Sequence, residues 1–313
     1  MKYIIKRIIT LILALFLISV IVFFAFSVIP ADAAIAKLGT DATPERLEAL
    51  REQMGLNKSV IERYGIWLTG AFRGDFGESL QYTGVSVNSL IGGRIGNSLL
   101  LSLISFLMVI IMSIPMGIFS AKRRSSWGRG IMTTLTQVTM GIPSFLLGVL
   151  ITYLFSILLR MFSLGSFISP KTDFWGACGY LIFPAIAIAL PKIAMTVKFL
   201  TSSIRTELHK EYVRTAYSKG QTRNGVLYKH VLINSLVPVI TFTGVIVAEI
   251  VAGSVIVEQV FSVPGIGTLL ITAITNRDYP VVEAVVLLIA FFIIAINFVV
   301  DMIYQAIDPR IRV

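Results

Sequence analysis

Residues 211–220, Glu-Tyr-Val-Arg-Thr-Ala-Tyr-Ser-Lys-Gly, form a polar island between long apolar runs. Arg205, Lys210, Arg214, Lys219, Arg223 and Lys229 make the island and its flanks basic. Wound as an α-helix, Glu211, Arg214, Thr215 and Ser218 share one face at i, i+3, i+4 and i+7, while Tyr212, Val213, Ala216 and Tyr217 fall mainly on another. Gly220 stands where a left-handed cap commonly ends a helix. The chemistry offered is recognition, with charges and hydroxyls on one face and small Ala216 and Gly220 where a second surface can approach closely. An ordinary solvated loop is the competing reading of the same residues.

The other reactive side chains are sparse. Ionisable groups inside apolar runs are costly and mark functional positions. Glu249 lies in the middle of one such run and Glu258 near its outer end, just before Phe261-Ser262-Val263-Pro264-Gly265-Ile266-Gly267. Facing a polar cavity or a partner, Glu249 would attract a cation or an amine; an interhelical hydrogen bond explains it equally well. Lys192 and Lys198 sit where long stems snorkel toward an interface, and Asp301 lies near a run end. His230, Asn234 and Pro238 stand at the expected entry to the fifth run, where an amide caps and an early proline fits the first turn.

Bond-making machinery is missing. The sequence has no G-x-x-x-x-G-K-[ST], G-x-G-x-x-G, H-E-x-x-H or G-x-S-x-G. Its two histidines, His209 and His230, are too few and too far apart for a zinc site, so no metal is expected. The single cysteine, Cys178, excludes an intrachain disulfide and reads as a small apolar residue.

These residues must be positioned by a membrane framework. Of 313 residues, 56% are hydrophobic and 14% charged, against about 25% charged in an ordinary soluble domain. Mean hydropathy is +0.84. Apolar runs at about 8–29, 97–120, 131–159, 179–203, 235–260 and 281–304 are each long enough to cross a bilayer of roughly 30 Å. An all-α polytopic fold with six transmembrane helices follows. The first run is read as a retained span rather than a signal peptide, although Pro30-Ala31-Asp32-Ala33-Ala34 imitates a cleavage site.

The net charge of +10 does not indicate nucleic acid, because its excess lies in short loops beside the runs. Lys2, Lys6, Arg7, Lys122, Arg123, Arg124, Arg129, the six basic residues of the island, Arg310 and Arg312 fall on one side, opposed there by Glu207, Glu211 and Asp308. That asymmetry sets both termini in the cytosol.

Between the first two runs, Thr43-Pro44-Glu45 starts a helix with the stripe Leu47, Leu50, Met54 and a stop at Gly55. A second amphipathic segment at about 58–72 carries Tyr64, Trp67 and Phe72, which suit a membrane interface. The organisation expected is 1–96, a first span with an extracytoplasmic cap, and 97–313, a core of five spans with the polar island as a cytosolic helix at about 205–225. Pro143, Pro184 and Pro191, with Gly141 and Gly148, are candidate kinks that either disturb packing or bend helices along a pathway.

Glu-x-x-x-x-Ala-x-x-Lys-Gly at 211–220, followed by Val226, His230, Leu232, Asn234 and Pro238, resembles the cytosolic coupling motif of ABC importer permeases. Further motifs occur in the same order: Lys6-Arg7 before the first run, Arg73-Gly74-Asp75-Phe76-Gly77-Glu78-Ser79, residues 261–267, Asn276-Arg277-Asp278-Tyr279-Pro280, and Asp308-Pro309-Arg310. Nearly end to end, the chain resembles the B-type subunit of the peptide/nickel permease family.

The resemblance implies a type I ABC importer permease fold, in a multi-pass protein of a bacterial cytoplasmic membrane. Glu211, Arg214, Thr215, Ala216, Lys219 and Gly220 would seat in a cleft of a cytosolic ATPase, braced by His230, Asn234 and Pro238. Glu258, Phe261, Pro264, Gly265 and Gly267 would belong to an outer gate that meets a delivering protein, and Glu249 to the pathway. Implied partners are a second, C-type permease, two ATPase subunits and an extracytoplasmic substrate-binding protein, all in or on the lipid bilayer. No cofactor is expected on this chain; ATP and Mg would lie in the ATPases. The implied cargo is a dipeptide or oligopeptide, with nickel or a metallophore complex as the alternative. A solitary ion-coupled secondary transporter would show inverted repeats and more midplane charge, which this sequence lacks. An intramembrane enzyme lacks its catalytic parts.

Overall fold

The computed structural model describes residues 2–28, 43–53, 57–122 and 126–307. Pro30–Ala34, Met54, Gly55, Arg123, Arg124, Asp308-Pro309-Arg310 and Arg312 lie outside them, as do the side chains of Lys2, Leu50 and Arg129. Among the described residues the chain is helical, and its one β-bridge outside a strand pairs Glu78 with Ser86. The chain divides into two compact units, residues 1–98 with 264–295, and 99–263 with 296–313.

The first unit contains α1 (Lys2–Val28), α2 (Pro44–Gln53), α3 (Val60–Phe72), α4 (Val87–Gly92), α12 (Ile266–Thr275) and most of α13 (Tyr279–Ile307). Helix α2 places Pro44 in its first turn as its sequence predicts, and Ser59 caps α3 by accepting from the Glu62 amide at 3.3 Å. The α3 aromatics also pack within the chain. Tyr64 and Trp67 turn onto α1, with ring centroids 5.3 and 5.6 Å from Phe23, and the Ser19 and Tyr64 hydroxyls are 2.8 Å apart; Phe72 alone stays largely exposed. A second cluster joins Val87 and Ile91 of α4 to Ile266, Leu269 and Ala273 of α12 and to Val281, Val282 and Val285 of α13. Ten-residue α12 is apolar but too short to cross a bilayer, consistent with a short outer segment after the glycine turn.

The second unit holds most of α5 (Ile95–Lys122), then α6 (Ser126–Gly141), α7 (Ser144–Ile151) and a π-helical stretch (Thr152–Leu158). After these come α8 (Phe174–Leu208), α9 (Glu211–Ser218), α10 (Arg223–Val226), a π-helical turn (Leu227–Val231) and α11 (Leu232–Val260). Helix α8 is the centre: 67% of its apolar window is buried, against 28% or less for the other candidate spans. Leu181, Ala185, Ile188, Ile193 and Val197 of α8 pack with Leu101, Val109, Leu147, Ile246, Ile250, Val257 and Phe261. The backbone of α5 approaches α8 at Gly117, where an added Cβ would lie 2.7 Å from Leu200 Cδ2, and the Thr201 hydroxyl donates to the Gly117 carbonyl at 3.3 Å.

Five helices are long and apolar enough to span a membrane among the described residues, and a bent pair makes six. That pair is the third run at 131–159, broken at the kink that Gly141 and Pro143 predict. Residues 130–141 and 144–158 meet at 93°. Pro143 has no N–H to continue α6 and holds ψ at 141°, and it disfavours helical backbone at Ile142. Pro184 and Pro191, by contrast, sit within an unbroken α8.

Candidate coupling and pathway sites

Helix α9 begins two residues beyond α8, after His209 closes α8 and Lys210 turns extended at φ −76°, ψ 152°. Glu211 in its first turn favours the positive helix end. Val213 and Ala216 are buried against Ile118, Leu200, Ile204, Val226 and Val231, whereas Glu211, Arg214, Thr215, Ser218, Lys219 and Gly220 are exposed. Burying Val213 alone is worth about 1.5–3 kcal/mol, enough to hold so short a helix in place. Ala216 is therefore small for this chain's own packing, and Gly220 remains as the position of close approach. Gly220 is left-handed at φ +79°. Its amide donates to the Tyr217 carbonyl at 2.9 Å and that of Gln221 to the Ala216 carbonyl at 3.3 Å, a full Schellman cap. Nothing in the chain lies within 4 Å of where a Gly220 Cβ would be.

A polar brace fixes α9 from behind. Glu207, nearly buried in the last turn of α8, accepts from Tyr212 Oη at 2.8 Å and pairs with Lys210. Asn234 of α11 also bonds the Tyr212 hydroxyl. Burial pushes the Tyr212 phenol up from its ordinary value, partly offset by Asn234 and reinforced by the Glu207 carboxylate, so it stays a donor. His230 Nε2 and Gln221 Oε1 are 2.9 Å apart. Lys122 at the end of α5 donates to Tyr228 Oη at 3.0 Å. Sequence reasoning missed Glu207, although an acid in a helix's last turn opposes the dipole and so announces a partner. Replacing Tyr212 with Phe should destabilise the α8–α9 elbow by about 1.5–3 kcal/mol, the worth of a hydrogen bond to a charged group. Thermal unfolding of the purified protein, compared with Tyr217→Phe on the exposed face, measures it.

The helix-entry reading of His230, Asn234 and Pro238 is corrected. The helix starts at Arg223, where Thr222 accepts from the Gly225 amide at 3.2 Å, and it runs on to Val260 through the π-helical turn. The three residues thus lie inside it, with His230 and Asn234 turned to the α9 brace.

In the membrane-spanning part of the second unit, Lys192 of α8 and Glu249 of α11 form an ion pair. Their side chains remain 20% and 37% accessible, so the pair is at a surface and not sealed in the core. Glu258, by contrast, is fully buried. Phe261 is likewise enclosed, stacked on Phe162 at 6.0 Å, and its carbonyl accepts from Tyr180 Oη at 2.6 Å.

The expected outer-gate residues divide between the units. Glu258 and Phe261 belong to the second, and Pro264, Gly265 and Gly267 to the first. In the first unit Asn97 Nδ2 donates to the Pro264 carbonyl at 2.7 Å, and Thr268 Oγ1 accepts from the Gly265 amide at 3.0 Å. The motif pieces at 73–79 and 276–280 also meet here. Asp278, 1% exposed, accepts from the Ser79 hydroxyl, from the Leu80 amide at 2.9 Å and from the Gln81 amide at 3.4 Å. Asn276 Nδ2 adds a bond to Gln81 Oε1 at 2.8 Å.

The second unit is a helical membrane unit around one enclosed helix, with a short exposed helix braced on its basic side. Residues 113–313 match the family described as binding-protein-dependent transport system inner membrane component, and residues 1–85 match its N-terminal counterpart. The oligopeptide transport system permease protein AppB of Bacillus subtilis is 34% identical over 99% of each chain. A protein of Sinorhizobium fredii named "Probable peptide ABC transporter permease protein y4tP" is 31% identical over 99% of each. A chain of the MetNI methionine ABC transporter, solved in inward-facing conformations, has the same fold, with a TM-score of 0.57 at 17% identity over 70% of this chain and 96% of that one. The chain belongs to the binding-protein-dependent transport system inner membrane component family: it is an ABC importer permease of type I fold, a multi-pass protein of the bacterial cytoplasmic membrane.

Proposed function

We propose that this chain is the B-type permease of a peptide importer. It carries dipeptides or oligopeptides through the membrane beside a second, C-type permease, and receives them from an extracytoplasmic binding protein. Two cytosolic ATPases bind ATP and Mg and do the hydrolysis; this chain supplies no bond chemistry. The observation that carries the reading is α9, which turns Glu211, Arg214, Thr215, Lys219 and left-handed Gly220 outward from a buried apolar footing. In this account Glu211 and Arg214, themselves paired at 3.2 Å, orient the ATPase cleft, and Gly220 lets its wall come close. Closure of the ATPase pair then pushes α9, and the Glu207–Tyr212–Asn234 brace passes the push to α8 and α11. Glu258 and Phe261 lie at the outer end of the moving path.

The peptide cargo is supported by the two relatives above, which are named as peptide and oligopeptide permeases. The test is uptake into proteoliposomes holding this chain, the neighbouring permease, the ATPases and the binding protein. ATP-dependent uptake of labelled tri- and tetrapeptides is expected. Uptake of nickel alone, or peptide uptake that follows an ion gradient and ignores ATP, contradicts the reading.

A further inference from the structure

Resting on the peptide reading, we infer that the Lys192–Glu249 pair is an exchangeable reader of peptide termini: the peptide's ammonium group replaces Lys192 on Glu249, and its carboxylate replaces Glu249 on Lys192. Two charges at membrane depth are tolerated only when paired or wetted. These two are paired, yet both remain partly accessible. Val245 and Ile256, on the exposed face of α11 that also carries Glu249, show that this face is not covered by the chain itself. A charged side chain 37% accessible is ill suited to hydrocarbon; in the assembly proposed above its open side turns to the second permease, across the path a solute takes.

The pair also fits the chemistry of the cargo. A free peptide is a zwitterion, and taking its ends out of water unpaired is expensive. Exchange leaves no charge unpaired: the one ion pair opens and two form, each end of the peptide meeting the opposite charge. A neutral site would have to desolvate both ends, and a site of one sign would repel one of them. The two partners come from different helices, and lysine's flexible stem can swing away while Glu249 stays, opening the gap that a peptide needs at roughly 3.3–3.6 Å per extended residue. Closed, the pair satisfies itself, so each group has a partner whether or not cargo is present.

The experiment uses the assembled importer with trialanine, its N-acetyl form, its C-terminal amide and the doubly capped form. The binding protein also discriminates among these, so each ratio is compared between permease variants with that protein unchanged. K192Q/E249Q keeps two polar side chains in place, and K192M/E249M replaces the pair with apolar chains; co-purification checks that each assembles. The expected result is that the free-to-doubly-capped uptake ratio falls about tenfold from the wild-type value in either variant, and that each single cap loses part of its effect. Equal ratios in wild type and variants overturn the inference while leaving the peptide importer standing. No ATP-driven peptide uptake by the wild type overturns the importer reading and this inference with it. A second measurement needs no variant. Alanyl-alanine extended at its C-terminus by benzoylphenylalanine and irradiated in the unaltered importer should label the 185–199 or 242–256 stretch, and labelling confined to other stretches contradicts the exchange.

Discussion

Gly220→Val should abolish ATP-driven uptake, to below about a hundredth of wild type, while the permease still folds. Within this chain the valine meets open space, since nothing lies within 4 Å of the Cβ position. Its cost here is the left-handed backbone at φ +79°, about 1–2 kcal/mol for a residue with a Cβ. That strain leaves the buried footing of Val213 and Ala216 in place. The larger loss is at the docking surface, where the branched side chain occupies the room that Gly220 leaves for the ATPase wall. Gly220→Asn separates the two effects, because asparagine tolerates the left-handed conformation while still adding bulk. It should restore the stability of the isolated permease but not full uptake. Uptake and ATPase co-purification at wild-type levels in Gly220→Val would show that the cap has no part in docking.

Asp278→Ala should be the most destabilising single change in the first unit. It removes the acceptor of the buried Ser79 hydroxyl and Leu80 amide and of the partly buried Gln81 amide. A buried donor left unsatisfied costs about 1–3 kcal/mol, so the Ser79 hydroxyl and the Leu80 amide together cost about 2–6 kcal/mol, while water can replace the acceptor of the Gln81 amide. Asp278→Asn keeps an acceptor oxygen and loses the charge assistance, which is roughly half the strength of such bonds. It should therefore lie between the alanine variant and wild type. Thermal unfolding of detergent-purified protein and the yield of folded permease both read the order wild type, Asn, Ala. An alanine variant as stable as wild type would mean that the 73–81 loop is held by other contacts.

What could be read from the sequence was periodic or local. Eight residues of α9 carry a full apolar-to-polar division at helical spacing, and Gly220 marks their end, so the exposed face of Glu211, Arg214, Thr215 and Ser218 was legible. The same periodicity cannot say whether small Ala216 meets a partner or its own core; the structure puts it inward. The start of the long helix at Arg223 was hidden because the stretch from Arg223 to His230 reads as a polar loop, although Thr222 caps it and a π-helical turn carries it into the membrane. Pro143 announced a break without giving its angle, since that depends on what α7 packs against. The long-range pairs were out of reach. Lys192 and Glu249 lie 57 residues apart, and Ser79 and Asp278 lie 199 apart. Each residue looked isolated along the chain, and only the fold supplies its partner. The cost of burying a lone charge predicted that partners exist without saying which.

The central claim is that α9 is the surface on which an ATPase acts, and photo-cross-linking tests it most directly. A photoreactive amino acid is placed at Arg214 or Ser218 on the exposed face of α9, and for comparison at exposed Leu164 between α7 and α8. The assembled importer is irradiated with and without ATP. Cross-linking of an ATPase subunit from 214 and 218, changed in yield by ATP and absent from 164, is the predicted result. An importer that takes up peptide on ATP while neither α9 position captures an ATPase would contradict the account.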